Sequence, residues 1–505
     1  MPPGVHPGNF RAQAEFLPGP PSPACPPARH RRARTHLTRL PWIGRASAAP
    51  YFVDETGAPW TPIGQNDALT WPELAGLFRR RDLPGVERHL RWLRAHGVTC
   101  LRLMLEYCHR EHRYLERPAG RFVPAMVRLW DDLLALCGRV GLRVLLTPFD
   151  TFFLWRRWRH HPYNRANGGP CASRAELLTC AATREAVKAR LAFATGRWGG
   201  GGVVFAWDLW NEMHPAQGGD DLACFADFIA DVGPFLRGLE TRLHGRAHLQ
   251  CVSVFGPELV ARPRLTGPVF RHPALDFASS HLYEHGTIDD PRDTVAPALA
   301  VGRLVREALG QIADGRPFLD SEHGPIRSFK DRHRTLPEAF DDEYFRHMQW
   351  AHLASGGAGG GMRWPNRHPH VLTPGMRRAQ RALAGFLPLV DWPRFRRRSL
   401  DGEIEVDDPA VAAFGCGDGA QAVIWLLRRG PLGPDGRLDP ARARGRQPVT
   451  LRVPGLAPGD YRVVLWDTVG GRERGRRAAA STGNGVLAAT LPELGADLAL
   501  AIRPA

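Results

Sequence analysis

Between Trp60 and Asn366 one unit recurs: a short apolar run of seven to ten residues, then a longer segment with helical periodicity. The runs are "WTPIGQN" (60–66), "VTCLRLML" (98–105), "RVLLTPFD" (143–150), "VVFAWDLWNE" (203–212), "LQCVSVFG" (249–256), "LDFASSHLY" (275–283), "RPFLDSEHG" (316–324) and "GGMRWPN" (360–366). Between most of them lie amphipathic stretches. In "GVERHLRWLRAHG" (85–97), Val86, Leu90, Leu93 and Arg94 recur on one helical face and Gly97 is a stop; "PAMVRLWDDLLALCGRVG" (124–141) is a second. Strand then helix, eight times over, is the arithmetic of a (β/α)8 barrel, an α/β TIM barrel. Several runs are apolar on both alternations, as strands between a filled interior and a helical shell must be. The competing architecture, a doubly wound open sheet, needs a phosphate-type loop. Neither "GRWGGGG" nor "SGGAGGG" supplies G-K-[ST] or a G-x-G-x-x-G after a strand. Those glycines read instead as tight turns into strands four and eight.

Near Arg396 the texture changes. "EIEV", "AQAVIWLLR", "VTLRV", "GDYRVVLWDT", "GVLAATL" and "LALAIRP" are short, often alternate with period two, and are split by Gly and Pro. They predict a small all-β sandwich over 400–505, following a barrel over 49–392. Trp425 and Trp466 are assigned to packing there rather than to sugar binding. Residues 1–48 are Pro-, Gly- and Arg-rich and are expected to be a disordered leader.

The formal charge of +16 raises nucleic acid as a partner. Only Lys188 and Lys330 are lysines, and residues 1–50 alone carry seven arginines against Glu15. The excess therefore reads as arginine-rich composition rather than as a polyanion-binding face. The nine cysteines are scattered and contain no C-x-x-C, so neither a disulfide framework nor a zinc ribbon is expected. Cys171 and Cys180 are close enough in sequence to pair across one loop; buried thiols are the alternative. No apolar run reaches the ~18 residues of a membrane span, and the leader lacks a secretory h-region. Export stays open, with the cytoplasm as the default compartment.

A barrel of this kind gathers the carboxyl ends of its strands at one face. Those ends offer Asn66, Arg102, Asp150, Asn211 with Glu212, His281 with Tyr283, Glu322 with His323, and Trp364. A lone glutamate at a strand end is ordinarily a helix cap or a surface ion pair. Two of them, after strands four and seven, are what glycosidic cleavage needs: one protonates the leaving oxygen and the other attacks the anomeric carbon. Strict strand alternation would put Asn211 and Glu212 on opposite faces, so both can face a site only if the strand bulges or ends there.

Taken together, "FAWDLWNE", "SSHLY", "PFLDSEHG" and "MRWPN" resemble the strand four, six, seven and eight signatures of the retaining glycoside hydrolases of clan A, with cellulase-like family 5 and its endo-β-mannanases the best fit. "GVTCLRLML" is similar to the strand-two pattern that delivers an arginine, and "HHPYNRANGGPC" to the long loop before the acid/base strand. The resemblance spans roughly residues 51–390. It implies that Glu212 is the general acid/base and Glu322 the nucleophile. It further implies that Asn211 bonds the sugar 2-hydroxyl, that Arg102 and Tyr283 lie against Glu322, that His281 lines the site and that Trp364 stacks under the sugar. A cation and a phenol beside Glu322 should lower its pKa, while a nearby carboxylate keeps Glu212 protonated. Clan members commonly have a cis peptide after the strand-eight tryptophan, so Trp364–Pro365 is expected to be cis, at low cost before proline.

Asp150 stands where many relatives have histidine, and either contacts a sugar or pairs with Arg156 or Arg157. Trp155, Trp158 and Trp210 are assigned to packing ahead of sugar platforms. His160 and His161 are placed on a loop surface. His109 and His112, at helical spacing in "CHREH", lack a third ligand, so no metal or cofactor is expected. The absence of G-x-S-x-G argues against an esterase. The expected activity is retaining hydrolysis of a β-linked poly- or oligosaccharide, with mannan-type substrates preferred. An exo-acting enzyme of the same clan, a carbohydrate-binding protein on a decayed barrel, and a polyanion-binding protein acting through its leader are the alternatives.

Overall fold

The computed structural model describes residues 39–108, 114–325, 335–367, 370–442 and 448–505. His109, His112 and most of the leader lie outside the described residues. Each apolar run contributes one strand: β1 Gly64–Asp67, β2 Cys100–Met104, β3 Arg143–Thr147, β4 Val204–Asp208, β5 Leu249–Cys251, β6 Ala278–Leu282, β7 Phe318–His323 and β8 Met362–Arg363. All seven ladders are parallel, in the order β5-β4-β3-β2-β1-β8-β7-β6. The circle is completed by Asp276 N–H to Gln250 C=O at 2.8 Å and His281 N–H to Val254 C=O at 3.0 Å. This is the closed barrel of a TIM fold. Every strand residue is buried, which is why the sequence shows runs rather than alternation.

The strands are shorter than the runs that encode them because the last residues of each run leave the ladder and turn across the carboxyl face. Glycines start two of them. Gly202 before β4 (φ 67°) and Gly361 before β8 (φ 74°) adopt left-handed backbone that side chains disfavour. A Cβ on Gly361 would also lie 2.9 Å from His323 Nδ1. The helix Leu83–Ala95 buries Val86, Leu90 and Leu93 as the periodicity predicts, while Arg94 is exposed. The helix Pro124–Val140 ends at Gly141 in the left-handed region. None of the described helices is long and apolar enough to cross a membrane.

Residues 39–48, expected to belong to the leader, are built into the fold. Ile43–Arg45 pairs antiparallel with Phe52–Asp54, Trp42 stacks on His248 with ring centroids 3.8 Å apart, and Phe52 packs edge-on against Phe205 and Phe277. Trp42 and Ile43 are buried, and removing their apolar surface from water favours ordering this segment.

After the barrel, nine antiparallel strands form one continuous sheet that folds over itself. Three of them escape the apolar pattern. Arg398–Ser399 is too short to show one, Val411–Gly417 ends in small residues, and Arg472–Ser481 ("RERGRRAAAS") is mostly exposed. Period-two alternation sorts the side chains into two cores. Ile424, Leu426, Val463, Leu465, Leu500 and Ile502 face Leu451, Val453 and Leu487 inside the sandwich. Phe414, Val423, Trp425, Val464, Trp466 and Ala499 join the barrel's own core. Trp425 and Trp466 therefore pack at the junction with the barrel. The Trp466 indole N–H donates to Ala382 C=O (3.2 Å), and the Trp425 indole to Asp497 (2.9 Å). Asp497 also receives the buried Arg346 guanidinium at 2.6 Å. Cys171 and Cys180 are both free thiols, so the possible bridge does not form.

Candidate active site

Arg102, in the middle of β2, is fully buried at the centre of the carboxyl face. Its Nη1 donates to Asn66 Oδ1 (2.8 Å) and Glu322 Oε2 (3.0 Å). Its Nη2 donates to Asp208 Oδ2 (2.6 Å), to Asn211 Oδ1 and to Ser253 Oγ (3.3 Å). Burial opposes a guanidinium's charge, but Asp208 and Glu322 outweigh it and the pKa is raised. One planar cation thus ties together side chains from β1, β2, β4 and β7 and the segment after β5.

The Asn-Glu pair is placed by the end of β4. The ladder stops at Asp208, Asn211 makes an isolated bridge to Asp150, and Glu212 turns into left-handed backbone with φ 49°. That turn breaks the alternation and lets both side chains face the same way. Asn211 Nδ2 donates to Asp150 Oδ1 (2.6 Å), and Asp150 also caps the helix Thr151–Arg157 by accepting from the N–H groups of Phe152 and Phe153. Asp150 is buried, and its carboxyl group holds the Asn211 amide. Burial, followed by the nearby Glu106 and Glu212 charges and opposed by the Asn211 bond, pushes its pKa up to about 7.

Glu322 is aimed by a bulge. Opposite β6, Ser280 pairs with Asp320 and His281 with Glu322, so Ser321 is extra. Asp320 Oδ1 holds the bulge by accepting the N–H groups of Glu322 and Leu282, each at 3.2 Å, and its Oδ2 accepts from or is shared with His323 Nδ1 at 2.8 Å. Asn66 Nδ2 donates to the Ser321 carbonyl at 3.0 Å. The carboxylate then receives Tyr283 O–H on Oε1 (3.1 Å) and Arg102 on Oε2 (3.0 Å). His281, also fully buried, lies between the acids, with Nδ1 at 2.7 Å from Glu212 Oε1 and 3.7 Å from Glu322 Oε2. One carboxylate oxygen of Glu212, one of Glu322 and a His281 ring nitrogen lie within 4.8 Å of one another.

That trio could in principle take a cation. Yet Arg102 already supplies the positive charge, and both oxygens of Glu322 and the Nδ1 of His281 are engaged. Burial pushes both glutamates up to about 7. For Glu322 this corrects the expectation of a lowered pKa: His281, Arg102 and Tyr283 do favour its ionised form, but removal from water and the Glu212 charge outweigh them. Glu212 has fewer donors and a more exposed side chain (24% against 10%). Burial lowers His281 to about 4, keeping it neutral at ordinary pH.

Eight of the nine residues expected at the site, Asn66, Arg102, Asp150, Asn211, Glu212, His281, Tyr283 and Glu322, join one hydrogen-bonded network, Glu212 entering it through its N–H to Ser253 Oγ (3.3 Å). Trp364 follows β8, half-buried, edge-on to Trp71 at 5.0 Å. The Trp364–Pro365 bond is trans, contrary to expectation; cis bonds among the described residues are Arg117–Pro118 and Gly430–Pro431. A turn centred on Pro365, closed by Asn366 N–H to Trp364 C=O (2.7 Å), changes the chain direction instead. His161 is a second correction: it is buried against Glu106 at 3.1 Å, while His160 is exposed. Trp210 is a core residue stacked on Phe149, and half-buried Trp155 lines a surface hollow of about 350 Å³ with Arg174 and Ala216. Sequence reasoning missed Asp208 and Ser253. Both lie in quoted runs, and a tally of polar residues near every strand end, β5 included, would have found them.

Fold and site together define a class: a (β/α)8 barrel with a fused β-sandwich and paired glutamates after β4 and in β7. Solved structures share the architecture of family 5-type glycoside hydrolase barrels. A protein described as a glycoside hydrolase superposes with TM-score 0.56 at 12% identity, covering 92% of this chain and 97% of that one. A glycoside hydrolase family 5 protein from Bacteroides vulgatus ATCC 8482 gives 0.55 at 11% identity, covering 92% and 95%. A putative glycoside hydrolase from the same organism gives 0.53 at 12%, covering 94% and 84%. At these identities the likeness is one of fold, and it extends over both the barrel and the sandwich. No family sequence model matches the chain, and no curated protein matches it in sequence.

Proposed function

We propose that this protein is a retaining glycoside hydrolase acting on β-linked poly- or oligosaccharides, with Glu322 as nucleophile and Glu212 as general acid/base. The observation that carries the reading is the meeting of these two glutamates within 4.8 Å, around a neutral histidine, at the carboxyl end of the barrel. Carboxyl groups of retaining enzymes stand about 5–5.5 Å apart, too close for the water that an inverting mechanism places between sugar and base. Glu322 attacks the anomeric carbon as Glu212 gives its proton to the departing oxygen. Water, deprotonated by Glu212, then releases the glycosyl-enzyme. The two environments suit opposite tasks. Glu322 accepts hydrogen bonds from a cation and a phenol, which favour its ionised form. Among the described residues Glu212 meets only His281 through its side chain, and a proton is held between them. In this reading Asn211, anchored by Arg102 and Asp150, bonds the 2-hydroxyl of the reacting sugar, and Trp364 lies beneath that sugar.

The substrate class rests on the likeness of the strand motifs to mannanase-type members, so β-mannan and manno-oligosaccharides come first in a screen that also includes β-glucan, xylan and aryl β-glycosides. Release of reducing ends by the wild type, with a loss of about 10³-fold or more in Glu322→Ala and Glu212→Ala, is expected. Azide should restore turnover of an activated aryl glycoside to both variants, giving an inverted glycosyl azide with Glu322→Ala and a retained one with Glu212→Ala. Near-normal hydrolysis by either variant, or sugar binding by the wild type without bond cleavage, would overturn the assignment.

A further inference from the structure

A second group of ligating side chains lies outside the barrel interior. Where β1 ends, alternation sends Asn66 inward to Arg102 and Asp67 outward, beneath two helices, Pro72–Arg80 and Leu83–Ala95. Asp67 comes from the strand, Glu73 from the first helix and His89 from the second. One ligand atom from each lies within 4.8 Å of the other two.

The hydrogen-bond inventory shows which atoms are uncommitted. Asp67 is 5% exposed; its Oδ1 accepts the Ala68 N–H at 2.7 Å, and its buried Oδ2 has no hydrogen-bond donor among the described residues. Glu73 Oε1 accepts from Arg377 Nη2 at 3.5 Å and its Oε2 from Gln65 Nε2 at 3.4 Å, with His89 Nε2 3.7 Å from Oε2. His89 Nε2 is buried and has no hydrogen-bond partner among the described residues. Arg377 also donates to Gln65 and Gln380, and its charge acts on both carboxyl groups. Burial and their mutual charge raise the pKa of Asp67, and burial raises that of Glu73 despite Arg377. Burial lowers His89 to about 4, so its imidazole is a neutral donor at ordinary pH. Two carboxyl groups and an imidazole converging on one point, with a buried carboxyl oxygen and a ring nitrogen unpartnered among the described residues, match the donor set of a divalent first-row metal ion.

We propose that Asp67, Glu73 and His89 form a structural site for a divalent cation of the Mn2+ or Zn2+ type, which pins the two helices to the end of β1. The site lies one residue from Asn66, so it braces the strand end that holds Arg102. This inference does not depend on the hydrolase assignment.

The test uses the full-length protein, stripped with chelator and titrated with Mn2+. Bound and free ion are counted by electron paramagnetic resonance, and the melting temperature is read in parallel. One ion per chain is expected, with a metal-dependent rise in melting temperature. His89→Gln and Asp67→Asn should each weaken binding at least tenfold and remove the thermal response. Glu212→Gln should bind as the wild type does. Should Asp67→Asn fail to fold, His89→Gln, altered on a partly exposed helix face, still decides. Absence of stoichiometric binding by the wild type overturns the site. So does binding that survives in His89→Gln, or that is lost in Glu212→Gln.

Discussion

Replacing Tyr283 by phenylalanine removes a single hydroxyl from the proposed nucleophile. The ring, 5.4 Å from that of Phe255, keeps its packing, and Arg102 keeps its bond to Glu322 Oε2. What disappears is the O–H donated to Oε1 at 3.1 Å. A hydrogen bond to a charged group contributes about 1.5–3 kcal/mol, and 1.36 kcal/mol corresponds to one pKa unit. The loss should therefore raise the Glu322 pKa by about 1–2 units from its value of about 7. The assay is kcat/KM against pH on an aryl β-glycoside with a leaving group acidic enough not to need Glu212. The acid limb then reports ionisation of Glu322 alone. Tyr283→Phe should move that limb upward by about 1–2 pH units and lower kcat/KM about 10–100-fold at pH 6, with the melting temperature little changed. A folded variant whose acid limb stays in place would refute the claim that Tyr283 keeps Glu322 ionised.

Asp150→Ala should lower stability by about 0.5–2 kcal/mol through loss of a helix cap, measured by urea denaturation. It should also lower kcat about tenfold with little change in KM, because a misoriented Asn211 loses a contact that strengthens in the transition state. Arg346→Met leaves Asp497 charged and buried between Trp425 and Thr468. A cost of about 3–5 kcal/mol is expected, read as a lowered calorimetric melting temperature. Stability should also depend on pH in both directions. Glu212, Glu322 and Asp150, pushed up to about 7, and Asp320, pushed up to about 8, each by burial first, bind protons more tightly folded than unfolded. Their contribution is full below the ordinary carboxylate range and is lost as pH rises through about 7–8. Burial lowers His281 and His352 to about 4, so theirs is full above about 6.5 and lost as pH falls through about 4. Because four carboxyl groups outweigh two imidazoles, melting temperature should fall from about pH 5 toward pH 8, by roughly this balance. A monotonic rise toward pH 8 would contradict it.

The apolar runs and glycine stops were sufficient to place all eight barrel strands, because a strand buried on both faces must be apolar throughout. Strand-end chemistry was likewise enough to nominate Glu212 and Glu322. The Arg-rich strand Arg472–Ser481 was invisible, since an exposed strand paired through its backbone places little demand on side chains. The order of residues 39–48 was hidden for a different reason: a short hairpin is held by contacts with residues far along the chain, such as His248.

The sequence by itself determined the kinds of element, their order, and which polar groups would reach the carboxyl face. Periodicity and backbone preference are local, and a barrel's topology carries strand ends to a common place. Only the tertiary structure decided what those groups do to one another. The left-handed turn at Glu212, the bulge at Ser321 and the many-partnered Arg102 are consequences of closure. So is the rise of both glutamates to about 7, because desolvation belongs to the assembled surroundings of a carboxylate and to no stretch of chain around it.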